Sequence, residues 1–267
     1  MSVRSTLAAT PALLRVGLAE SIAYRAEMLV WILATTMPLV MMALFATVAR
    51  EAPIGGFGEA EVIAYFLATF IVRQLTGSWA AWQINMEVRQ GALAARLLRP
   101  VHPLWAYAME GLAAIPIRAA IAIPAAAIAL VITSADALPR DAGTWLAFAL
   151  ASLGGWVLTF LINALLGSLC LWTESSLKLV DLYLVFFFVF SGYLVPLAIF
   201  PGWLRTVVDA MPFRFQIGTP VEILVGGRAR DALIQALALE AAWLAALLGL
   251  TLLVWRRGLA RFAAYGG

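Results

Sequence analysis

Long apolar runs, separated by short polar or proline-rich breaks, dominate the pattern of this chain. Six runs read as helices, at about 27–48, 61–83, 104–133, 143–172, 177–200 and 231–254. Roughly 20 consecutive apolar residues cross a bilayer as an α-helix, and each run reaches that length. The alternating segments of a transmembrane barrel, about 10 residues each, are not seen. The pattern therefore predicts an all-α integral membrane protein with six transmembrane helices, residues 1–267 forming a single transmembrane domain. Pro116 and Pro124 predict a kink or a tilt in the third helix.

Two segments depart from plain spans. Residues 1–26 mix Arg4, Arg15, Glu20 and Arg25 with apolar positions, and Leu14, Leu18 and Ile22 fall four apart on one helical face. They predict an amphipathic helix over 10–25 along the headgroups, the alternative being a frayed tail. The stretch Ser191–Glu222 is broken at Pro196, Pro201, Gly202, Pro212, Gly218 and Pro220, yet stays apolar and aromatic between the breaks. A long solvent-exposed loop with one amphipathic helix is one reading. The apolar neighbours favour a helical hairpin dipping into the membrane, with Pro212 and Phe213 buried among the spans. Irregular backbone at that depth is tolerated only when packed in protein or lining a cavity.

Composition supports the membrane class: 64% of the residues are apolar and 12% charged, against about 45–50% and 25% in soluble domains. The net charge is +3, but the arginines fall at the ends of apolar runs. That distribution suits lipid headgroups and not nucleic acid. With the N-terminus inside, ten basic residues fall on inner segments (Arg4, Arg15, Arg25, Arg89, Arg96, Arg99, Lys178, Arg256, Arg257, Arg261). Six fall on outer ones (Arg50, Arg140, Arg205, Arg214, Arg228, Arg230). The bias predicts both termini in the cytoplasm.

The inner connection Asn85–Pro103 alternates Glu87, Arg89, Arg96 and Arg99 with Val88, Leu93, Leu97 and Leu98. It predicts a helix of two to three turns stopped by Pro100, either a docking knob for a cytosolic partner or a simple interfacial connector. Inside the spans lie Arg73, Gln74, Glu110, Arg118, Asn163 and Asp181. Intramembrane charge is costly and faces protein or water. Arg73 and Arg118 either line a cavity or belong to an intramembrane ion pair or subunit contact. Recurrent small residues, Gly154, Gly155, Ala164 and Gly167, predict close helix packing. The one cysteine and one histidine give no basis for a metal site. No P-loop, zinc-protease or serine-hydrolase motif is present, so no catalytic residue is assigned.

Three elements together carry a resemblance. They are A-Y-R-A-E at 23–27, E-V-R-Q-G-A-L-A-A-R-L-L-R-P-V-H-P-L at 87–104, and S-G-Y-L-V-P-L-A-I-F-P-G-W-L with M-P-F and T-P-V-E-I-L-V-G-G from Ser191 onward. The chain resembles the permease subunit of bacterial type-two ABC exporters, in the short six-span branch. Met211 stands where that family usually has Leu.

The resemblance implies a cytoplasmic elbow helix at 1–26 and a coupling helix at 85–103. It also implies an outer re-entrant hairpin at 196–230. The ATPase-coupling residues would be Glu87, Arg89, Leu93, Arg96, Leu97 and Arg99. The outer gate would comprise Pro196, Phe200, Pro201, Trp203, Pro212, Phe213 and Pro220. The implied partners are two ABC ATPase subunits, a second permease, identical or related, and membrane lipids. ATP and Mg would be bound in the ATPase, with no cofactor on this chain. The implied place is the bacterial inner membrane and the implied task is ATP-driven export, with a lipid-like or amphiphilic cargo. The alternative is a membrane anchor that couples an ATPase to a periplasmic partner without transport.

Overall fold

The computed structural model describes residues 3–133, 139, 141–173, 175–225 and 230–262. Arg140, Arg228 and part of the expected hairpin, 226–229, lie outside the described residues. All regular structure among the described residues is helical, apart from a single bridge between Ile54 and Phe57. The chain begins with α1 (Val3–Ala8), α2 (Thr10–Ala23), α3 (Arg25–Ala34) and α4 (Met37–Glu51). It continues with α5 (Glu59–Thr76), α6 (Ala80–Arg89), α7 (Ala92–Leu97), α8 (Pro103–Ala113) and α9 (Ile115–Thr133). The second half holds α10 (Ala142–Ser168), α11 (Leu177–Phe190), α12 (Gly202–Ala210), α13 (Phe213–Gln216), α14 (Gly218–Leu224) and α15 (Arg230–Leu259).

Four stretches are long and apolar enough to cross a membrane: Leu29–Glu51, Pro103–Ile128, Ala142–Leu171 and Ala232–Leu259. They correspond to the first, third, fourth and sixth expected spans. The second and fifth differ from expectation. The run at 61–83 is not one helix, because α5 stops at Thr76 and α6 restarts at Ala80. α5 also carries Glu59, Glu61 and Arg73. The fifth helix ends at Phe190 instead of 200, leaving 14 residues, or about 21 Å at 1.5 Å per residue. The cause is Gly192, whose φ of 87° lies where a side chain is strained.

Breaks in the apolar helices are satisfied by side chains, as a water-poor setting requires. α3 and α4 are separated at Thr35 and Thr36. The Thr35 carbonyl accepts from the Tyr193 hydroxyl at 3.2 Å, and its Oγ1 accepts from Gln74 Nε2 at 2.7 Å. Ala114 separates α8 from α9 just before Pro116, so the expected irregularity of the third run is real.

α10 is the central helix, packing on α5, α6, α13, α14 and α15. Its small residues permit this. A Cβ at Gly167 would stand 3.0 Å from the Ala81 Cα of α6, and one at Gly155 would stand 2.6 Å from the Phe215 carbonyl of α13. Only 17–22% of the most apolar window in each of the other three stretches is buried within the protein, as a lipid-facing surface would be.

The bundle has two distinct ends. At one, Ser5 Oγ donates to the Pro100 carbonyl, Trp105 Nε1 to Thr10 Oγ1, and Asn85 Nδ2 to Ser176 Oγ. The last turn of α15 joins them, since Gly258 abuts Leu171 and Trp172. Burial, together with the nearby Arg256 charge, holds the His102 imidazole below its usual pKa. At the other end Arg50 pairs with Glu59 at 2.5 Å, and Gly55 packs on Ile199.

The N-terminal segment is helical over Val3–Ala8 and Thr10–Ala23. α2 lies against α8 through Gly17, where a Cβ would meet Ala113 Cβ at 2.9 Å. Leu13 and Leu14 pack on the core, while Leu18 and Ile22 stay exposed.

Candidate functional site

The connection between α6 and α8 is a tight turn and not one continuous coupling helix. Gly91 has φ 73° and closes α6 by donating to the Val88 carbonyl at 3.2 Å, the left-handed stop that glycine supplies. α7 then spans only six residues, shorter than the expected two to three turns.

The six expected coupling residues face two ways. Arg96 points inward. It makes a two-pronged pair with Glu87 (2.6 and 2.8 Å) and a pair with Glu110 at 2.7 Å, and it lies over the Tyr107 ring at 4.1 Å. Tyr107 donates its hydroxyl to Glu87 at 2.6 Å, and Gln83 Nε2 donates to Glu110 at 2.6 Å. Leu93 is fully buried and Leu97 half-buried. Arg89 and Arg99 remain exposed, beside Met86 and an 87% exposed Leu98. Glu87, Leu93, Arg96 and Leu97 thus fix the turn to α8, whereas Arg89, Leu98 and Arg99 are presented outward. Tyr107 and Gln83 were not singled out in the sequence. Their signal was the company of Glu110 on the adjoining helix face, at a spacing no local motif reveals.

The expected intramembrane polar residues do not form one cluster. Glu110 serves Arg96 and not Arg118, because the turn brings Arg96 back over α8. Asn163 donates to the Thr159 carbonyl one turn earlier in its own helix, at 2.9 Å. Asp181 is exposed on α11, so it is not a buried polar residue. Arg118 is buried and donates to the backbone carbonyls of Gln74 (3.5 Å), Gly77 (3.1 Å) and Gly111 (3.3 Å). Two of these are carbonyls freed where α5 ends, so Arg118 caps the α5 break. Such a cation at a helix C-terminus also opposes the helix dipole favourably. Arg73 lies beside it, with its guanidinium 5.0 Å from the Phe187 ring centre.

Among the expected gate residues, Pro196 and Pro220 are buried, Phe200, Pro212 and Phe213 are half-buried, and Pro201 and Trp203 are exposed. Phe213 is not free in solvent, since its ring stacks on Tyr183 and on Phe186, each at 6.1 Å. The deepest residues follow it. Arg214, 2% exposed, pairs with Asp209 and with Glu222 at 2.7 Å and reaches Thr219 Oγ1 at 3.3 Å. Gln216 accepts from Tyr183 (2.6 Å) and Thr159 (3.1 Å).

Depth can be read against the long helices. Phe215 meets Gly155 near the middle of α10, and the Ala210 carbonyl accepts from Trp243 Nε1 in the middle of α15 at 3.0 Å. The Ser191 carbonyl accepts from the Gly218 amide at 2.8 Å, and Tyr65 donates to the Gly192 carbonyl at 2.8 Å. These bonds tie the broken end of α11 to α14 and α5. Arg214 was counted in sequence only as an outer basic residue. Its acids lie five residues before and eight after it, so a residue-by-residue reading missed the triad.

A largely apolar crevice of about 660 Å³ opens between α8, α10 and α15, near the end that carries His102. Trp105, Trp156, Phe160 and Leu248 are among its walls.

Apolar spans, buried breaks and an exposed basic turn define an integral membrane protein. The family model described as ABC-2 family transporter protein matches residues 29–266, and the chain belongs to that family. It is therefore a type-two ABC permease, a membrane transport component that is not itself catalytic and works with an ABC ATPase partner. The match begins after α2, so the N-terminal helices lie outside it. No curated protein matches the chain.

Proposed function

We propose that this chain is one permease half of an exporter that moves a lipid-like or amphiphilic cargo outward across the bacterial inner membrane. Two copies of the ATPase would bind on the cytoplasmic side, and a second permease, identical or related, would complete the pathway. The observation that carries this reading is the α6–α7 turn. It is an exposed basic and apolar surface of Arg89, Leu98 and Arg99, braced from behind by the Arg96 pairs.

In this reading the end holding the α6–α7 turn and the last turn of α15 faces the cytoplasm, with both termini there. α1 and α2 form the elbow. The 196–225 segment is the outer re-entrant gate, supported by its contacts at the middle of α10 and α15. α5–α6 and α11 complete six passes. The short α11 reaches across together with the packed 191–200 segment. ATP closure in the partner would displace the turn, and the Arg96 pairs would pass the movement to α8. The driving free energy is the ATPase's preference for its closed state, because a ligand shifts an equilibrium only by differential affinity. The apolar crevice suits an acyl chain.

The test is reconstitution of the chain with the ATPase that co-purifies with it. Arg89→Glu with Arg99→Glu is expected to abolish co-purification while the permease stays folded. Failure of the unmodified chain to hold any ABC ATPase contradicts the reading. Amphiphile-stimulated ATP turnover in proteoliposomes separates transport from a purely anchoring role.

A further inference from the structure

Arg73 has no hydrogen-bond acceptor among the described residues, and its buried Nε is unsatisfied. The neighbouring cation deepens the deficit. A Cβ placed on Gly77 would lie 3.1 Å from Arg118 Nη1 and 3.7 Å from Arg73 Nη1, so two guanidinium groups converge on one glycine. Arg118 spends its donors on three backbone carbonyls. Arg73 has only the Phe187 face.

Glu87 and Glu110 pair with Arg96, and Asp209 and Glu222 pair with Arg214. Glu240 stands against Gly154, on the α10–α15 interface. The aromatic neighbours of Phe187, Tyr183 and Tyr193, donate their hydroxyl protons to Gln216 and Thr35. Arg73 of α5 and Arg118 of α9, two adjacent positive charges beside Gly77, therefore lack a counter-charge among the described residues. Intramembrane arginines pair with something or line a path. A guanidinium offers a planar fork that fits phosphate oxygens.

We propose that Arg73 is a binding residue for the phosphate-bearing headgroup of an anionic amphiphile, at the close approach of Arg73 and Arg118 around Gly77, where the buried Phe187 ring backs the guanidinium. Gly77 keeps the two guanidiniums close, and Arg118 adds positive field without giving up its cap. This deepens the transport reading by giving the cargo a negative charge, and it rests on that reading only for the word cargo. The binding itself needs no ATPase.

The test uses the purified full-length chain in a nonionic maltoside, titrated with dodecyl phosphate and followed by thermal unfolding. Inorganic phosphate and a nonionic dodecyl ether are the comparison ligands. Dodecyl phosphate is expected to raise the Tm saturably. Arg73→Gln is expected to weaken the response by roughly tenfold or more, the scale of a lost charge-assisted contact. Arg73→Lys is expected to fall between the two. The unliganded Tm of Arg73→Gln should match or exceed that of the unmodified chain, because a like-charge contact is relieved.

Dodecyl phosphate protection that is unchanged in Arg73→Gln overturns the proposal. Equal protection by the nonionic ether removes the charge requirement and also overturns it. Equal protection by inorganic phosphate overturns the amphiphile and leaves a free anion as the ligand. Loss of self-association in Arg73→Gln, with anion binding intact, assigns Arg73 to a subunit contact instead. A failed ATPase pull-down combined with normal Arg73-dependent binding would count against the transport reading alone.

Discussion

Arg96 and Arg89 lie seven residues apart in one basic segment and do opposite things. Arg96 is held by Glu87, Glu110 and the Tyr107 ring, whereas Arg89 is exposed. Removing one member of a largely buried charge pair leaves the other charges uncompensated, which costs about 3 kcal/mol. Arg96→Ala is therefore expected to lower the Tm of the purified chain clearly. Arg89→Ala should change stability by less than about 0.5 kcal/mol and act only on partner binding. Thermal unfolding of the two variants side by side checks the contrast. Gly155 gives a second residue-scale expectation. A methyl there would stand 2.6 Å from the Phe215 carbonyl, and backbone cannot yield as a side chain can. Gly155→Ala is expected to push α13 off α10 and to destabilise by about 1–3 kcal/mol, the range for overpacking.

At the scale of elements, the hairpin segment is held by the Arg214 triad and by the backbone bond between Gly218 and Ser191. Arg214→Gln leaves Asp209 and Glu222 without their cation. It is expected to loosen α12–α14 while the long helices stay intact. An added cysteine at Phe213 should then react with an impermeant thiol reagent several-fold faster than in the unmodified background. An unchanged rate would mean that the triad does not hold the segment. Much of this element was legible in the sequence. The prolines, Gly202 and Gly218 marked the breaks after residue 195, and the apolar residues between them predicted burial.

The side-chain wiring was not legible. Arg214 finds its acids through a fold-back, Arg96 reaches Glu110 across the Gly91 turn, and Arg118 caps the end of a different helix. Such partners lie on different helices, whereas periodicity reports only one helix at a time. The same limit explains α2. Its close approach to α8 at Gly17 joins two helices far apart in the chain, which no single-helix pattern reveals. It also explains the fifth run, where an unbroken apolar composition hid the stop at Gly192.

For the whole molecule, the α6–α7 turn gathers with the N-terminal helices and the last turn of α15, while Gly55 and Ile199 meet at the opposite end. That polarity, in a chain of the ABC-2 transporter family, underlies the proposed division between an ATPase-facing turn and an outer gate. Membrane class was plain from the apolar runs, and family membership agrees with the motifs at 87–104 and after Ser191. Site-specific photocrosslinking in the intact membrane tests the central claim most directly. A photoreactive residue replaces either Leu98, 87% exposed on the turn, or Trp203, 72% exposed on α12. Crosslinked products are identified by mass spectrometry. The expected result is capture of an ATPase bearing its own P-loop from Leu98 and not from Trp203. Capture of that ATPase from Trp203, or from neither position, would contradict the assignment.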